Sequence, residues 1–308
     1  MRDSFGRSLT LGVEEELLLL DPETLALAPG VERLLPEEGL KTELFSCLVE
    51  TNTPVCETAA EARTELVRLR RLVVERAARE GLAVAASGSH PFSIPEEQRI
   101  VQEPRYLKMV DELGSVAKGQ LVCGLHVHVG MPSFDDCLRT LRGITPWLPA
   151  VLELSANSPY LAGEETGELS SRFSRLHRLP RGGPPPALAT VEEWDAVVAA
   201  AGVDYTRIWW DARPHPRLGT LEVRIADQAT SVDRAAALVA LVQALCAAPP
   251  EPGPDLVDAV EPAARELGTW EVVETLRGPV EALRQLEVGR RDGLAAVADD
   301  LVRRSQAG

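Results

Sequence analysis

The segment Gly12-Val13-Glu14-Glu15-Glu16-Leu17 sets three adjacent carboxylates inside an apolar run that continues to Leu20. Alternation makes residues 9–20 a strand, with Leu11, Val13, Glu15, Leu17 and Leu19 on one face and Gly12, Glu14, Glu16 and Leu18 on the other. Asp21-Pro22-Glu23-Thr24 closes it as a turn. Like charges about 4 Å apart repel by roughly 4 kcal/mol at an effective dielectric near 20, so such a strand calls for a compensating cation. Glu14 and Glu16 project to one face, which lets two oxygens reach a single hard cation. An edge strand with its glutamates in water would carry the same residues, and other segments must distinguish the two.

Three more segments carry related chemistry. In Cys123-Gly124-Leu125-His126-Val127-His128-Val129-Gly130, alternation places both histidines opposite the apolar side chains; imidazoles at i and i+2 suit a metal or an anion, and satisfied structural histidines are the alternative. In Thr220-Leu221-Glu222-Val223-Arg224-Ile225, Glu222 and Arg224 share the face opposite the core residues. That pairs a carboxylate for a metal with a guanidinium for a phosphate, or forms an ordinary cross-strand salt bridge. Glu43, Glu50 and Glu57 flank the apolar run at residues 44–49, and Glu50 closes that strand. The seven-residue step from Glu43 to Glu50 gives them opposite parity, so they share a site only through a bulge or a loop. Arg213 and Arg217 lie in a Pro-stiffened segment after Trp209-Trp210.

Composition narrows the partners. A chain of 308 residues can bury a full core, and a single domain is expected. The net charge of −15, with no basic run, argues against nucleic acid as a partner. Nucleotide phosphates can still be bound by such a chain through metal ions or a few placed arginines. The N-terminus has no apolar leader and no window approaches the roughly 18 apolar residues of a membrane span, so a cytoplasmic protein without membrane contact is expected. Five cysteines without a CxxC pair read as free thiols. No Walker GxxxxGK[ST], GxGxxG or serine-hydrolase elbow is present, so a nucleotide site must be built another way.

Elsewhere, helical spacing over residues 59–81 reads as a surface helix, with its Arg and Glu in water and Gly81 as its C-cap. Strands are expected at 82–87, 121–129, 207–212 and 220–226, and helices at 135–154 (broken near Pro146 and Pro149), 191–201 and 233–246. Residues 155–183 read as a long surface loop, and the Pro-rich stretch 247–255 separates a charged helical remainder.

In this order the motifs LGVEEELLLLDPET, VETNTPVCETAAEARTEL, LVCGLHVHVGMP, LSANSPYLAGEETG, PRGGPPPALAT and IWWDARPHPRLGTLEVRIADQATSVDRAAALVALVQAL resemble the glutamate–cysteine ligase type 2 family, the carboxylate-amine ligases. The resemblance runs from residue 9 to about residue 246. It implies an α+β fold like that of glutamine synthetase: a curved, mostly antiparallel sheet that holds the substrates, with helices on the outer face. It implies a catalytic domain over residues 1–246 and a shortened helical C-terminal segment, 247–308, packed on the same domain.

The activity it implies is ATP-dependent joining of the γ-carboxylate of glutamate, or a similar acid, to an amine such as cysteine through an acyl phosphate, with ATP and Mg2+, or Mn2+ in its place. Metal roles then fall on Glu14, Glu16, Glu43, Glu50, His126 and Glu222, an ATP-phosphate role on Arg224, a substrate-carboxylate role on Arg172, and a weaker role of that anion-binding kind on Arg213. Family members are often dimers, so a homodimer is an expected assembly. The chain departs from its relatives at residues 249–255, where a longer helical continuation is usual, at Ser171 before Arg172, where a Tyr is common, and at Glu57, where an Arg is frequent. A non-catalytic relative that binds ATP or amino acids is the competing reading; a metal-dependent hydrolase using His126 and His128 is disfavoured because carboxylates outnumber imidazoles.

Overall fold

The computed structural model describes residues 4–306. Its centre is a seven-stranded antiparallel sheet built from β1 (Leu11–Leu20), β2 (Leu40–Thr42), β3 (Leu48–Asn52), β4 (Ala83–Ala85), β5 (Leu125–Gly130), β6 (Ala212–His215) and β7 (Thr220–Val223). The order across the sheet is β6-β7-β5-β1-β3-β2, and β4 pairs with the far end of β1 beyond β5. β1 is central because its second half, Leu17 to Leu20, is apolar on both faces and buried throughout.

Helices cover one face. They include α1 (Ala59–Arg79), α4 (Val232–Ala247), α5 (Leu256–Glu266), α6 (Glu281–Asp292) and α7 (Leu294–Ser305), while α2 (Pro104–Leu113) and α3 (Ser171–Leu176) stand over the other face. Leu11, Val13, Val127, Val129, Leu221 and Val223 form the sheet side of a core completed by α4, which is apolar on nearly every face and buried accordingly. A second core gathers Leu17 to Leu20, Val84 and Ala85 with Val73 and Ala77 of α1 and Val297 and Leu301 of α7. Residues 256–305 therefore pack into the same two cores as the sheet: Val257 and Val260 join the first and Val288 the second.

Several boundaries move. The expected strand at 121–129 begins its ladder at Leu125, after an isolated bridge from Gly124 to Asp227, that at 220–226 stops at Val223, and that at 207–212 divides into Trp209–Trp210 and β6. Residues 155–183 are not one open loop, because they contain α3 and the small ladder Tyr160–Leu161 with Glu164–Glu165. The helix after Ser133 breaks into a 3-10 turn at Thr145–Trp147 before resuming at Leu148–Ser155, as Pro146 and Pro149 require.

Candidate active site

Antiparallel register turns the separate motifs into rows on the face opposite α1 and α4. Glu14 lies between His126 on β5 and Asn52 on β3. Glu16 lies opposite Glu50, which in turn faces Lys41 on β2. Glu222 lies between His128 on β5 and Arg213 on β6. Each named residue occupies the same parity as Glu14 and Glu16, so all project into one site.

Two groups that could hold a metal ion result. Glu14, His126 and Glu222 bring donor atoms within 4.8 Å of one another, and so do Glu16, Glu43 and Glu50. Glu43 belongs to neither strand: it sits in the connection between β2 and β3, which removes the parity obstacle to its meeting Glu50. Its Oε2 accepts the Leu44 N–H at 2.7 Å. Glu16 accepts the Gly124 N–H at 2.6 Å, and Glu50 accepts from Asn52 Nδ2 at 2.7 Å, with Lys41 Nζ 3.7 Å away.

The donor chemistry fits a hard divalent cation. In the second group three carboxylates crowd together, with Lys41 near Glu50 and the guanidinium groups of Arg105 and Arg224 acting on Glu43, and like charges about 5 Å apart repel by roughly 3 kcal/mol per pair at an effective dielectric near 20. Burial, then the charge of Glu16, pushes Glu43 up to about 7, and burial with the charges of Glu14 and Glu43 pushes Glu50 well above the carboxylate range. In the first group burial works to raise Glu14 and Glu222. It is outweighed for Glu14 by the nearby imidazoles of His126 and His128, and for Glu222 by the charges of Arg213 and Arg224, so both are held low. Burial and the nearby Arg224 lower His126, leaving it neutral and able to offer a nitrogen lone pair. Five carboxylates and one imidazole suit Mg2+ or Mn2+ better than zinc.

The arginines divide. Arg224 lines a cavity beside Glu16 and His126, pairs with Glu222 through Nη1, and keeps a buried Nε–H without a partner. Arg172, on α3, is 2% exposed and lines the same cavity; it donates to the carbonyls of Ile225 (3.1 Å) and Arg224 (2.9 Å), and its Nε–H too has no partner. Gly124 makes that approach possible, since a Cβ there would lie 2.2 Å from Arg172 Nη2. Arg213 does not present a free fork for an anion. Its Nε donates to Glu222 Oε2 at 2.7 Å, and Nη1 donates to the carbonyls of Thr206 (2.8 Å) and Ile208 (2.7 Å), so it aims Glu222 instead.

The sequence singles out His128 with His126 but leaves it out of the metal roles, and it does not single out Arg70 at all. His128 shares the alternation of His126: its Nδ1 lies 3.0 Å from Thr220 Oγ1, and its buried Nε2 lies 3.7 Å from Glu14 Oε1 without a hydrogen bond. Arg70 reads as one of the solvated arginines of α1, yet it is 3% exposed and bound to Glu15 at 2.6 Å. No local pattern marks it out from the other arginines of that helix.

The site lies between two cavities. The larger, about 490 Å³, has Gly12, Glu14 and His128 on its floor and Arg7, Lys41 and Arg217 around it. The other, about 390 Å³, reaches Glu16, Glu43, His126, Arg172 and Arg224. Among the described residues no helix is long and apolar enough to cross a membrane.

Comparison with known proteins places the chain in a family. The family description "Glutamate-cysteine ligase family 2" matches residues 10–307. A protein of Rubrobacter xylanophilus provisionally named glutamate–cysteine ligase 2-3 is 40% identical over 88% of this chain and 77% of its own length. One of Herpetosiphon aurantiacus, provisionally named glutamate–cysteine ligase 2, is 39% identical over 77% of this chain; the chain spans 64% of that relative's length. The fold matches solved structures of a glutamate–cysteine ligase of Francisella tularensis in complex with AMP (TM-score 0.69, 12% identity, 98% of this chain and 89% of that one) and of a bifunctional glutathione synthetase from Pasteurella multocida (TM-score 0.69, 13% identity, 96% and 52%). The antiparallel sheet with helices on its outer face is thus the fold these ligases share, and the chain belongs to glutamate–cysteine ligase family 2, a family of ATP-dependent carbon–nitrogen ligases.

Proposed function

We propose that this protein is an ATP- and Mg2+-dependent carboxylate–amine ligase that activates the γ-carboxylate of glutamate, or a similar acid, as an acyl phosphate and transfers it to an amine in the cytoplasm. The observation that carries this reading is the convergence of two carboxylate groups and Arg224 on one sheet face between two cavities. A ligase must bring a nucleotide and an acid together, and two cavities that meet at one set of side chains give room for both.

In this reading ATP occupies the larger cavity, with its phosphates toward Glu14 and His128, and the acid occupies the second, beside Glu16 and Glu43. Glu14, His126 and Glu222 would hold one Mg2+ or Mn2+, and Glu16, Glu43 and Glu50 another. Ions bound there neutralise phosphate charge and align the reactants. Arg213 fixes Glu222 through two hydrogen bonds, at 2.7 and 3.3 Å, so that ligand is set before substrate arrives. Arg224 meets the charge that gathers on the transferred phosphoryl group, and Arg172 offers its unpaired Nε–H to a carboxylate of the acid. The acid's oxygen bonds to the γ-phosphorus as the bond to ADP breaks. The amine nitrogen then bonds to the acyl carbon as phosphate departs.

Hydroxylamine, a small acceptor that needs no pocket, tests the reading. Incubation with Mg-ATP and glutamate is expected to give hydroxamate and phosphate in equal amounts, with neither formed when the divalent ion is chelated. Purified protein that releases no phosphate with hydroxylamine or any of a panel of amines would overturn it.

A further inference from the structure

The second cavity has two chemically different sides. The sheet side is charged and carries Arg172 and Arg224, each with an unpartnered buried Nε–H. The wall formed by α2, α3 and the adjoining loops is mostly apolar, lined by Leu44, Met109, Val122, Leu176, Leu179 and Trp209; among its polar members Tyr106 and Thr206 have committed hydroxyls, and Gln120 offers only an acceptor, its unpartnered Oε1. Four of the six apolar residues are buried while lining an open space: Leu44 at 3% exposure, Val122 at 8%, Leu176 and Leu179 at 6%.

Cations do reach this wall, but they are committed. Arg105 pairs with Glu103 at 2.9 Å and donates to Thr42 Oγ1 at 2.9 Å, and Arg207 pairs with Glu112. An acceptor with its own carboxylate would bury that anion against apolar side chains without an unshared counter-charge, a cost of several kcal/mol before any contact is made. An alkyl or aryl group would instead gain roughly 25 cal/mol for each Å² that it buries.

We propose that the amine acceptor is a primary amine with an apolar alkyl or aryl substituent and no carboxylate of its own. The proposal rests on the ligase reading above. The acceptor, as the free base, forms the C–N bond; the bond from acyl carbon to phosphate oxygen breaks, phosphate leaves with the electron pair, and the proton released from nitrogen goes to the departing phosphate. The substituent lies along the Leu176, Leu179 and Trp209 wall, while the nitrogen faces Glu16 and Glu43.

The experiment compares hydroxylamine, 2-phenylethylamine, isopentylamine and L-cysteine as acceptors with Mg-ATP and glutamate, reading phosphate release and the mass of the amide. The expected kcat/KM for 2-phenylethylamine and isopentylamine exceeds that for cysteine by at least ~10-fold, the scale of discrimination of an apolar pocket. Trp209→Ala is expected to lower the ratio of 2-phenylethylamine to hydroxylamine turnover by ~10-fold, and Trp209→Phe to restore most of it. Hydroxylamine turnover with cysteine equal to or better than the apolar amines would overturn the acceptor class and leave the ligase reading standing. Absence of turnover with hydroxylamine would remove the ligase reading and this proposal with it.

Discussion

Glu15 is the member of the glutamate triplet that takes no part in the site, and its pairing gives the sharpest stability prediction. It is fully buried, on the opposite face of β1 from Glu14 and Glu16, and is gripped by Arg70 of α1 through Nη2 at 2.6 Å and Nε at 3.0 Å. Arg70 also donates to the carbonyls of Ala229, at 2.7 Å, and Thr230, and Gln228 Nε2 gives Glu15 a further bond at 2.8 Å. Arg70→Met keeps the apolar stem of the side chain and removes the charge. Leaving one partner of a buried ion pair unmatched costs about 3–5 kcal/mol. The surviving Gln228 bond moderates the loss, whereas the two carbonyls lose a charged donor, so we expect about 4 kcal/mol.

For a domain whose total stability is of order 5–15 kcal/mol, that is a large fraction. Glu15→Gln with Arg70→Met removes both charges and should recover roughly 2 kcal/mol of the single-variant loss, because the stranded charge is what costs most. Urea unfolding followed by far-ultraviolet circular dichroism at pH 7.5 measures all four corners of the cycle. A loss below about 1 kcal/mol for Arg70→Met, or strict additivity of the two substitutions, would refute the argument.

The metal reading predicts that millimolar Mg2+ or Mn2+ raises the thermal midpoint, by about 2.7 kcal/mol of stabilisation at one hundred times Kd, and that Glu16→Gln largely abolishes the rise; an undiminished rise in the variant would place the ion elsewhere. Gly124→Ala would set a Cβ 2.2 Å from Arg172 Nη2 and 2.8 Å from His126 Nε2. It should lower kcat/KM for hydroxamate formation by roughly 100-fold while costing about 1–3 kcal/mol of stability, and unchanged kinetics would contradict the placement of those side chains. His90 is 2% exposed, its Nδ1 accepts the Ser93 N–H at 3.0 Å, and its Nε2 lies 2.9 Å from the Leu25 carbonyl. Burial pushes its pKa down to about 4 from 6.5, so the unfolded chain binds the extra proton first. Its contribution is complete above pH 6.5 and is lost as pH falls toward 4, about 2 kcal/mol of it by pH 5; urea midpoints of His90→Gln that follow the same pH slope as the parent would refute this.

Much of this site is legible without coordinates because the strand period is two. Given Glu14 inward, alternation along β1 forces Glu16 inward and Glu15 outward, and the same rule aligns His126 with His128 and Glu222 with Arg224. Alternation does not say which strands are neighbours. That Glu222 stands beside His128, and Glu16 beside Glu50, follows from the order β7-β5-β1-β3, which joins residues 94 positions apart in the first pair and 34 in the second. Glu43 shows the limit clearly: its parity conflicts with that of Glu50, and only the connection between β2 and β3 brings the two together.

The sequence by itself determined the family, the antiparallel sheet, and which side chains of each strand share a face, since these depend on local period and on the order of motifs. Tertiary structure alone decided the fate of the arginines. Arg70, Arg172, Arg213 and Arg224 are chemically identical forks on long flexible stems. What each one holds, whether the buried Glu15, the carbonyls at Arg224 and Ile225, or Glu222, depends on which distant backbone or carboxylate the packing brings within about 3 Å.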